Sequence, residues 1–279
     1  MKKVMRQNRG RRERKALNTR KLKTLLDTWT LRINTPAFIE NDPVRFPRRY
    51  RRKKDIEIAA FLSAAIAWGR RDLILRSAEK MLLVMGKNPY DFVMEGAWKR
   101  SGGETGGRGR SIHRTFFEDD FEYYCRGLNF CYTRYGDLEN LFAEGLGGGG
   151  MFEGIRLFRE TMALGNGGGE GKTLYSKHVS NPGSSSACKR INLALRWLVR
   201  KDGIVDPGIW KRISPASLYI PLDLHVGRTA RQLGLLERKA NDRGAVEELT
   251  EKLREFSPED PVRYDFALFG IGTAHSGGR

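Results

Sequence analysis

Apolar residues return at helical spacing along most of the chain, and no stretch shows a convincing alternation at strand period. Leu22, Leu25, Leu26, Trp29 and Ile33 predict a helix over 22–33. Asp42-Pro43 and Pro47 mark a loop. Ile56, Ala59, Ala60, Leu62, Ala65 and Ile66 suit a buried helix, which Trp68-Gly69-Arg70-Arg71-Asp72 breaks. Ile74, Ala78, Met81 and Leu82 stripe the next helix, and Asn88-Pro89 ends the pair. Residues 116–134 and 138–142 read as helices. Cys188, Ile191, Leu195 and Leu198 stripe a helix over 187–201 that Asp202-Gly203 stops. The turn before it, Asn181-Pro182-Gly183-Ser184-Ser185-Ser186, ends in serines placed to cap it. Asp223 is placed to cap a helix carrying Val226, Ala230 and Leu233, which Gly234 ends. Ala245, Val246, Leu249, Leu253 and Phe256 mark another helix, and Ser257-Pro258 opens a last one through residues 264–269. The expected fold is all-α.

The length, 279 residues, suits one large domain or two modest ones. Residues 1–23 carry 11 basic side chains against Glu13 and read as a flexible basic arm, leaving 24–279 as the folded domain. Glycine-rich stretches at 101–110, 145–150 and 165–171 read as surface loops. The formal net charge is +18, of which +15 falls in residues 1–54. Such a patch attracts polyanions, nucleic acid above all, although a solubilising tail would look the same. Arg48-Arg49-Tyr50-Arg51-Arg52-Lys53-Lys54 is either a phosphate-neutralising cluster or a solvated turn before a helix.

Several classes drop out. The longest mainly apolar run, 58–68, is too short to span a bilayer, and no signal-peptide core follows the basic start. Cys125, Cys131 and Cys188 make no paired disulfide framework, which fits a reducing cytoplasm, and fall one short of a four-cysteine metal or iron–sulfur site. His113, His178, His225 and His275 are scattered, so no metal and no cofactor is expected. Gly171-Lys172-Thr173 lacks the earlier glycine of a P-loop, because Asn166 stands there.

Two stretches carry chemistry: Ser186-Ala187-Cys188-Lys189-Arg190-Ile191-Asn192 and Ile220-Pro221-Leu222-Asp223-Leu224-His225-Val226-Gly227-Arg228. The first puts Lys189 in the opening turn of a helix. The positive end of the helix dipole lies there and Arg190 adds charge, so the ammonium form is disfavoured and an amine nucleophile is favoured. A lysine that binds phosphate is the other reading. The second stretch sets Asp223 at a helix start, where it is either a plain cap or a carboxylate held ionised opposite a developing sugar cation.

These stretches resemble a known superfamily. Leu222 to Ala230, followed by Leu233-Gly234-Leu235, is similar to the Val-Asp-Thr-His-Val-x-Arg-Val-Ala…Leu-Gly-Leu signature of the HhH-GPD DNA glycosylases, which include endonuclease III and the 8-oxoguanine glycosylases. Ile58-Ala59-Ala60-Phe61-Leu62-Ser63-Ala64 resembles their early Leu-Leu-Ser-Ala helix. Asn181-Pro182-Gly183 through Arg190 sits where they place the helix-hairpin-helix and the catalytic lysine. The resemblance covers about half of the chain. The hairpin departs from the endonuclease III pattern Leu-Pro-Gly-Val-Gly: its second glycine is missing and its loop is longer. The 34-residue separation of Lys189 from Asp223 is more like the archaeal 8-oxoguanine glycosylase group. Residues 256–272 also resemble a widespread bacterial family remotely related to these glycosylases.

The resemblance implies two helical subdomains around a central cleft, and a monomer acting on double-stranded DNA that contains a damaged base. The base would be flipped out. Lys189 would attack C1′ as nucleophile, Asp223 would stabilise the sugar cation, and a Schiff base could then undergo β-elimination. An oxidised purine, 8-oxoguanine, is the substrate the closest-looking branch suggests. Arg51, Arg52, Arg70, Arg71, Ser185, Ser186 and Arg190 are the candidate DNA contacts. Trp68, Trp197 and Phe269 are the candidates to stack on the base, although aromatic residues at helical spacing are usually core. The alternative from another class is a non-catalytic helical protein that binds nucleic acid through the same basic surface.

Overall fold

The computed structural model describes residues 19–100, 109–168 and 174–276. Residues 1–18 of the expected arm, and the glycine-rich stretches over 101–108 and 169–173, lie outside the described residues.

The fold is all-α. The first helix, α1, spans 19–33 and so takes in five residues assigned to the arm. Lys23 and Asp27, four apart and 2.6 Å from each other, support its early turns. Then follow α2 (Pro36–Glu40), α3 (Lys53–Ala65), α4 (Arg71–Met85) and α5 (Pro89–Met94). A hairpin that the sequence did not announce, β1 (Ser111–His113) with β2 (Phe116–Phe117), interrupts the helices. Two- and three-residue strands are too short to show a period. Beyond it lie α6 (Glu118–Tyr135), α7 (Leu138–Gly149), α8 (Met151–Gly165) and α9 (Lys189–Val199). The last three are α10 (Leu224–Gln232), α11 (Arg243–Arg254) and α12 (Asp265–Ser276).

The core gathers around α3, in which every residue from Asp55 to Ala65 is buried. Small side chains, Ala59, Ala60, Ser63 and Ala64, let α9 pack against it. The α6–α8 bundle packs its own aromatic layer, with Phe142 between Phe158 at 5.4 Å and Trp210 at 5.6 Å. At the other end, α10 packs on α12.

The glycine run 145–150 is not a loop. Residues 145–149 complete α7, and only Gly150, at φ +92°, makes the joint to α8. A Cβ on Gly145 would stand 2.4 Å from the Gly154 Cα, so the two glycines let α7 and α8 touch backbone to backbone. A Cβ on Gly147 would meet no atom within 4 Å and would face open space. Gly145→Ala is therefore expected to destabilise the protein by about 1–3 kcal/mol through overpacking. Gly147→Ala should stabilise it by up to about 1 kcal/mol. Urea denaturation of both variants checks the contrast, and equal effects would contradict it.

One buried carboxyl ties α3 to its neighbours. Glu57, fully buried, accepts from Trp210 Nε1 at 2.7 Å, Tyr132 Oη at 3.1 Å and the Leu138 amide at 3.4 Å. Burial pushes its carboxyl up to about 7, against the pull of Trp210 and Lys53. The folded chain thus keeps a proton that the unfolded chain gives up near its ordinary 4.5. The stability this lends is complete below about pH 4.5 and is lost as pH rises through 7. Glu57→Gln, which keeps an acceptor for Trp210, should flatten the fall in stability between pH 5 and pH 8 by about 2–3 kcal/mol. Denaturation at the two pH values measures it, and an unchanged fall would refute it.

Candidate active site at the start of α9

The turn before α9 is built differently from a serine-capped helix start. Asn181 Oδ1 accepts from the Gly183 amide at 3.0 Å and opens a single 3-10 turn, Pro182–Ser184. Ser185 then takes φ +57° and Cys188 φ +49°, both in the left-handed region. Ser185 is thus in a backbone conformation that favours glycine. The cap position of α9 is the buried Cys188, and no serine side chain caps the helix. Ser186 Oγ instead accepts from the Cys188 amide at 3.2 Å. The loop is pinned from the other side, where the Arg243 amide donates to the Ser185 carbonyl at 2.8 Å and Ser186 bridges to Asp242. Two non-glycine residues held left-handed in four positions cost about 1–3 kcal/mol each, a strain that fixes where α9 begins.

Lys189 is the first residue of α9. Its Nζ donates to the Ala67 carbonyl at 3.1 Å and lies 3.7 Å from Asp223 Oδ2. Asp223 caps α10 as its position promised. Oδ1 accepts from the His225 and Val226 amides, both at 2.9 Å, which leaves Oδ2 facing the lysine. The Asn241 side chain donates to the Asp223 carbonyl at 3.1 Å and steadies the cap from behind. The two side chains keep 29% and 36% of their surface open, so the pair is held but reachable. His225 contributes its backbone amide, and its ring faces solvent.

Two further carboxyls, which the sequence reading passed over, stand near the pair. Asp265 opens α12, pairs with the buried Arg196, and lies close enough to Asp223 and Lys189 for their charges to interact. Burial pushes its carboxyl up to about 6, against Arg196 and Lys189, while Asp223 adds to the rise. Asp42 caps a short turn, with Oδ1 accepting from the Val44 amide at 3.0 Å. Burial raises its carboxyl above the usual range, against the Val44 amide and the charges of Arg196, Arg71 and Lys189. An aspartate before a proline and an aspartate within the last predicted helix were the only signals in the sequence.

The predicted contacts separate into three groups. Phe269 is half-buried and shares a face of α12 with Asp265, four residues earlier. Phe38 meets its edge at 5.7 Å and the Arg71 guanidinium lies over its ring at 4.9 Å. Arg51, Arg70, Arg71 and Ser185 are exposed, although Arg70 is engaged by Asp72 at 2.9 Å.

A second group turns inward. Trp197 is fully buried in the core, so it cannot stack on a base. Trp68 is half-buried with its ring stacked 5.5 Å from His178 and covered by Arg190 at 4.9 Å. Arg190 donates to the Ala65 carbonyl at 2.8 Å, so its guanidinium serves the fold. Arg52 is clasped by Asp91 at 2.8 Å and 3.0 Å. Its neighbours follow suit: Arg49 pairs with Glu79, and Lys53 with Asp137 and Glu139. Three of the six cations thus neutralise the protein's own carboxylates, Arg48 donates to the Val205 carbonyl, Lys54 donates to Tyr90, and Arg51 is exposed.

Ser186, half-buried in the pinned loop, makes up the third group. Two surface grooves of about 430 and 450 Å³ hold none of these residues. Among the described residues no cluster of three His, Cys, Asp or Glu side chains is set to hold a metal, and no helix is long and apolar enough to cross a membrane. All three cysteines are buried.

Comparison with curated protein sequences and with solved structures gives no match. A protein family does match, over residues 42–274, a span that begins at Asp42 and contains Lys189, Asp223 and Asp265. The chain belongs to this family, whose description is "Protein of unknown function (DUF2400)".

Proposed function

We propose that the chain is a DNA base-excision glycosylase with lyase activity, in which Lys189 is the nucleophile and Asp223 the carboxylate opposite the sugar. The observation that carries this reading is the 3.7 Å approach of Lys189 Nζ to Asp223 Oδ2, between residues 34 apart in sequence, on an accessible edge. The left-handed Ser185, in a backbone conformation that favours glycine, supports it.

The chemistry follows from the groups present. A damaged base flipped from duplex DNA exposes its C1′. Lys189, as the amine, forms a bond to C1′ while the bond to the base breaks. Asp223 Oδ2, its partner oxygen fixed by two backbone amides, faces the positive charge that develops on the sugar. Opening of the sugar ring gives a Schiff base on Lys189, from which β-elimination nicks the strand. The substrate in this reading is an oxidised purine in double-stranded DNA, bound by a monomer. In this reading the half-buried Phe269 receives the base, and the exposed Arg51, Arg70 and Arg71 meet phosphates.

A second reading has its own support. Lys189 and Arg190 both donate to carbonyls at the end of α3, as two cations in a purely structural joint would. In that reading the protein binds nucleic acid without chemistry.

Borohydride trapping decides between them. Wild type is incubated with duplexes carrying 8-oxoguanine, uracil, an alkylated base or an abasic site, and the covalent adduct is counted. The glycosylase reading expects an adduct on at least one lesion, abolished in Lys189→Ala. Asp223→Asn, which keeps a capping oxygen, should release base about 100-fold more slowly, with binding within about threefold of wild type. No adduct and no base release on any duplex, with lesion-blind binding, would overturn the glycosylase reading in favour of the binding protein.

A further inference from the structure

Lys189 and Asp223 belong to different elements. Lys189 opens α9 behind its strained loop, and Asp223 caps α10. Their 3.7 Å approach depends on how these two starts are held to each other. The bond from Lys189 to the Ala67 carbonyl fixes the lysine on the chain beyond α3 and does nothing for Asp223. The stretch that leads into α11 touches both sides within three consecutive residues, Asn241, Asp242 and Arg243.

Asn241 takes the Asp223 side. Its Nδ2 donates to the Asp223 carbonyl at 3.1 Å, an oxygen that also accepts from the Gly227 amide at 2.9 Å. Its Oδ1 accepts from Arg231 Nη2 at 2.7 Å. Arg231 is fixed in turn on the Arg238 carbonyl at 2.8 Å and the Ala240 carbonyl at 3.1 Å. A guanidinium only donates and a carbonyl only accepts, so the Asn241 amide stands one way round. Gly227 makes room for it. A Cβ there would stand 2.6 Å from Asn241 Oδ1 and 3.0 Å from Nδ2, so the half-buried amide lies directly against the opening turn of α10.

The next two residues take the Lys189 side. Asp242 pairs backbone to backbone with Ser186, and the Arg243 amide donates to the Ser185 carbonyl at 2.8 Å. Asp242 is itself anchored as the cap of α11. Its Oδ1 accepts from the Ala245 amide at 3.0 Å, and Arg238 reaches its two carboxylate oxygens at 2.7 and 2.8 Å.

We propose that Asn241 is a positioning residue of the site. With Asp242 and Arg243 it clasps the cap of α10 to the loop before α9, and so sets where Asp223 Oδ2 stands relative to Lys189. This rests on the glycosylase reading. Asn241 acts through Asp223: without its bond the cap shifts against the loop, and Oδ2 loses its place opposite the charge that develops at C1′. Attack by Lys189 on the open aldehyde of an abasic site expels no base and does not need that placement.

Two variants test it by different routes. Asn241→Asp keeps the oxygen that Arg231 holds and removes the donor to the Asp223 carbonyl. Gly227→Ala leaves Asn241 unchanged but crowds its amide off α10, and alanine is otherwise favoured inside a helix. Each is measured on the lesion duplex that wild type acts upon and on a duplex with a preformed abasic site. Both variants should release base at saturating DNA about tenfold more slowly or worse, with KM within about threefold of wild type. Trapping on the abasic duplex should stay within about threefold of wild type. In an Asp223→Asn background neither should slow release further, since the group it acts through is already gone. Equal loss on both duplexes, or the full loss repeated in the Asp223→Asn background, would make the clasp a support of the fold alone. Unchanged release in both variants would leave the contact without consequence. Each of these results overturns the proposal. Wild type releasing base from no duplex overturns the parent reading, and the role of Asn241 with it.

Discussion

The structure depends on how the end of α3 is satisfied. A helix buried along eleven successive residues finishes with carbonyls to which no further turn donates. The carbonyls of Ala65 and of Ala67, two residues past the helix, take bonds from Arg190 and Lys189, the first side chains of α9. The negative end of one helix dipole meets the positive end of the other. The joint does two things at once. It closes the core, and it delivers a lysine to an accessible edge where the cap of α10 presents a carboxylate. The strained loop before α9 makes sense in this light, since Ser185 and Cys188 must turn left-handed for α9 to start where those carbonyls are.

Charge is spent mostly within the fold. Arg196 and Arg200 sit in a buried network with Asp206, Asp265, Asp202 and Asp260. Such networks add little net stability, but removing one partner leaves a buried charge uncompensated, so they hold helices in one arrangement. Here they join α9 to Asp265 at the start of α12, close enough to the Lys189–Asp223 pair for their charges to interact. Electrostatic order in the core thereby becomes geometry at the surface.

Much of this was legible in the sequence, for physical reasons that differ by residue. Asp223 was readable as a cap because capping is local, settled by the two amides that follow it. The break at Trp68–Asp72 was readable because glycine and charge interrupt an apolar stripe. Lys189 and Asp223 were paired by a resemblance, since nothing local brings residues 34 apart within 3.7 Å. What failed was non-local. The cluster from Arg48 to Lys54 looked free because its partners lie 30 to 86 residues away in Glu79, Asp91, Asp137 and Glu139. Trp197 looked like a pocket residue because a stripe of apolar residues does not say which of them meets solvent. The glycine run at 145–150 looked like a loop because close helix packing and chain flexibility ask for the same residue. Asp42 gave no signal beyond an aspartate before a proline, because its neighbours in space come from α4 and α9.

The central claim is that Lys189 itself forms the bond to the sugar. The most direct measurement reduces the complex of wild type with an abasic duplex using borohydride, digests the product, and locates the modified residue by mass spectrometry. The account predicts the sugar remnant on Lys189. A remnant on any other lysine, or on the amino terminus, would contradict it.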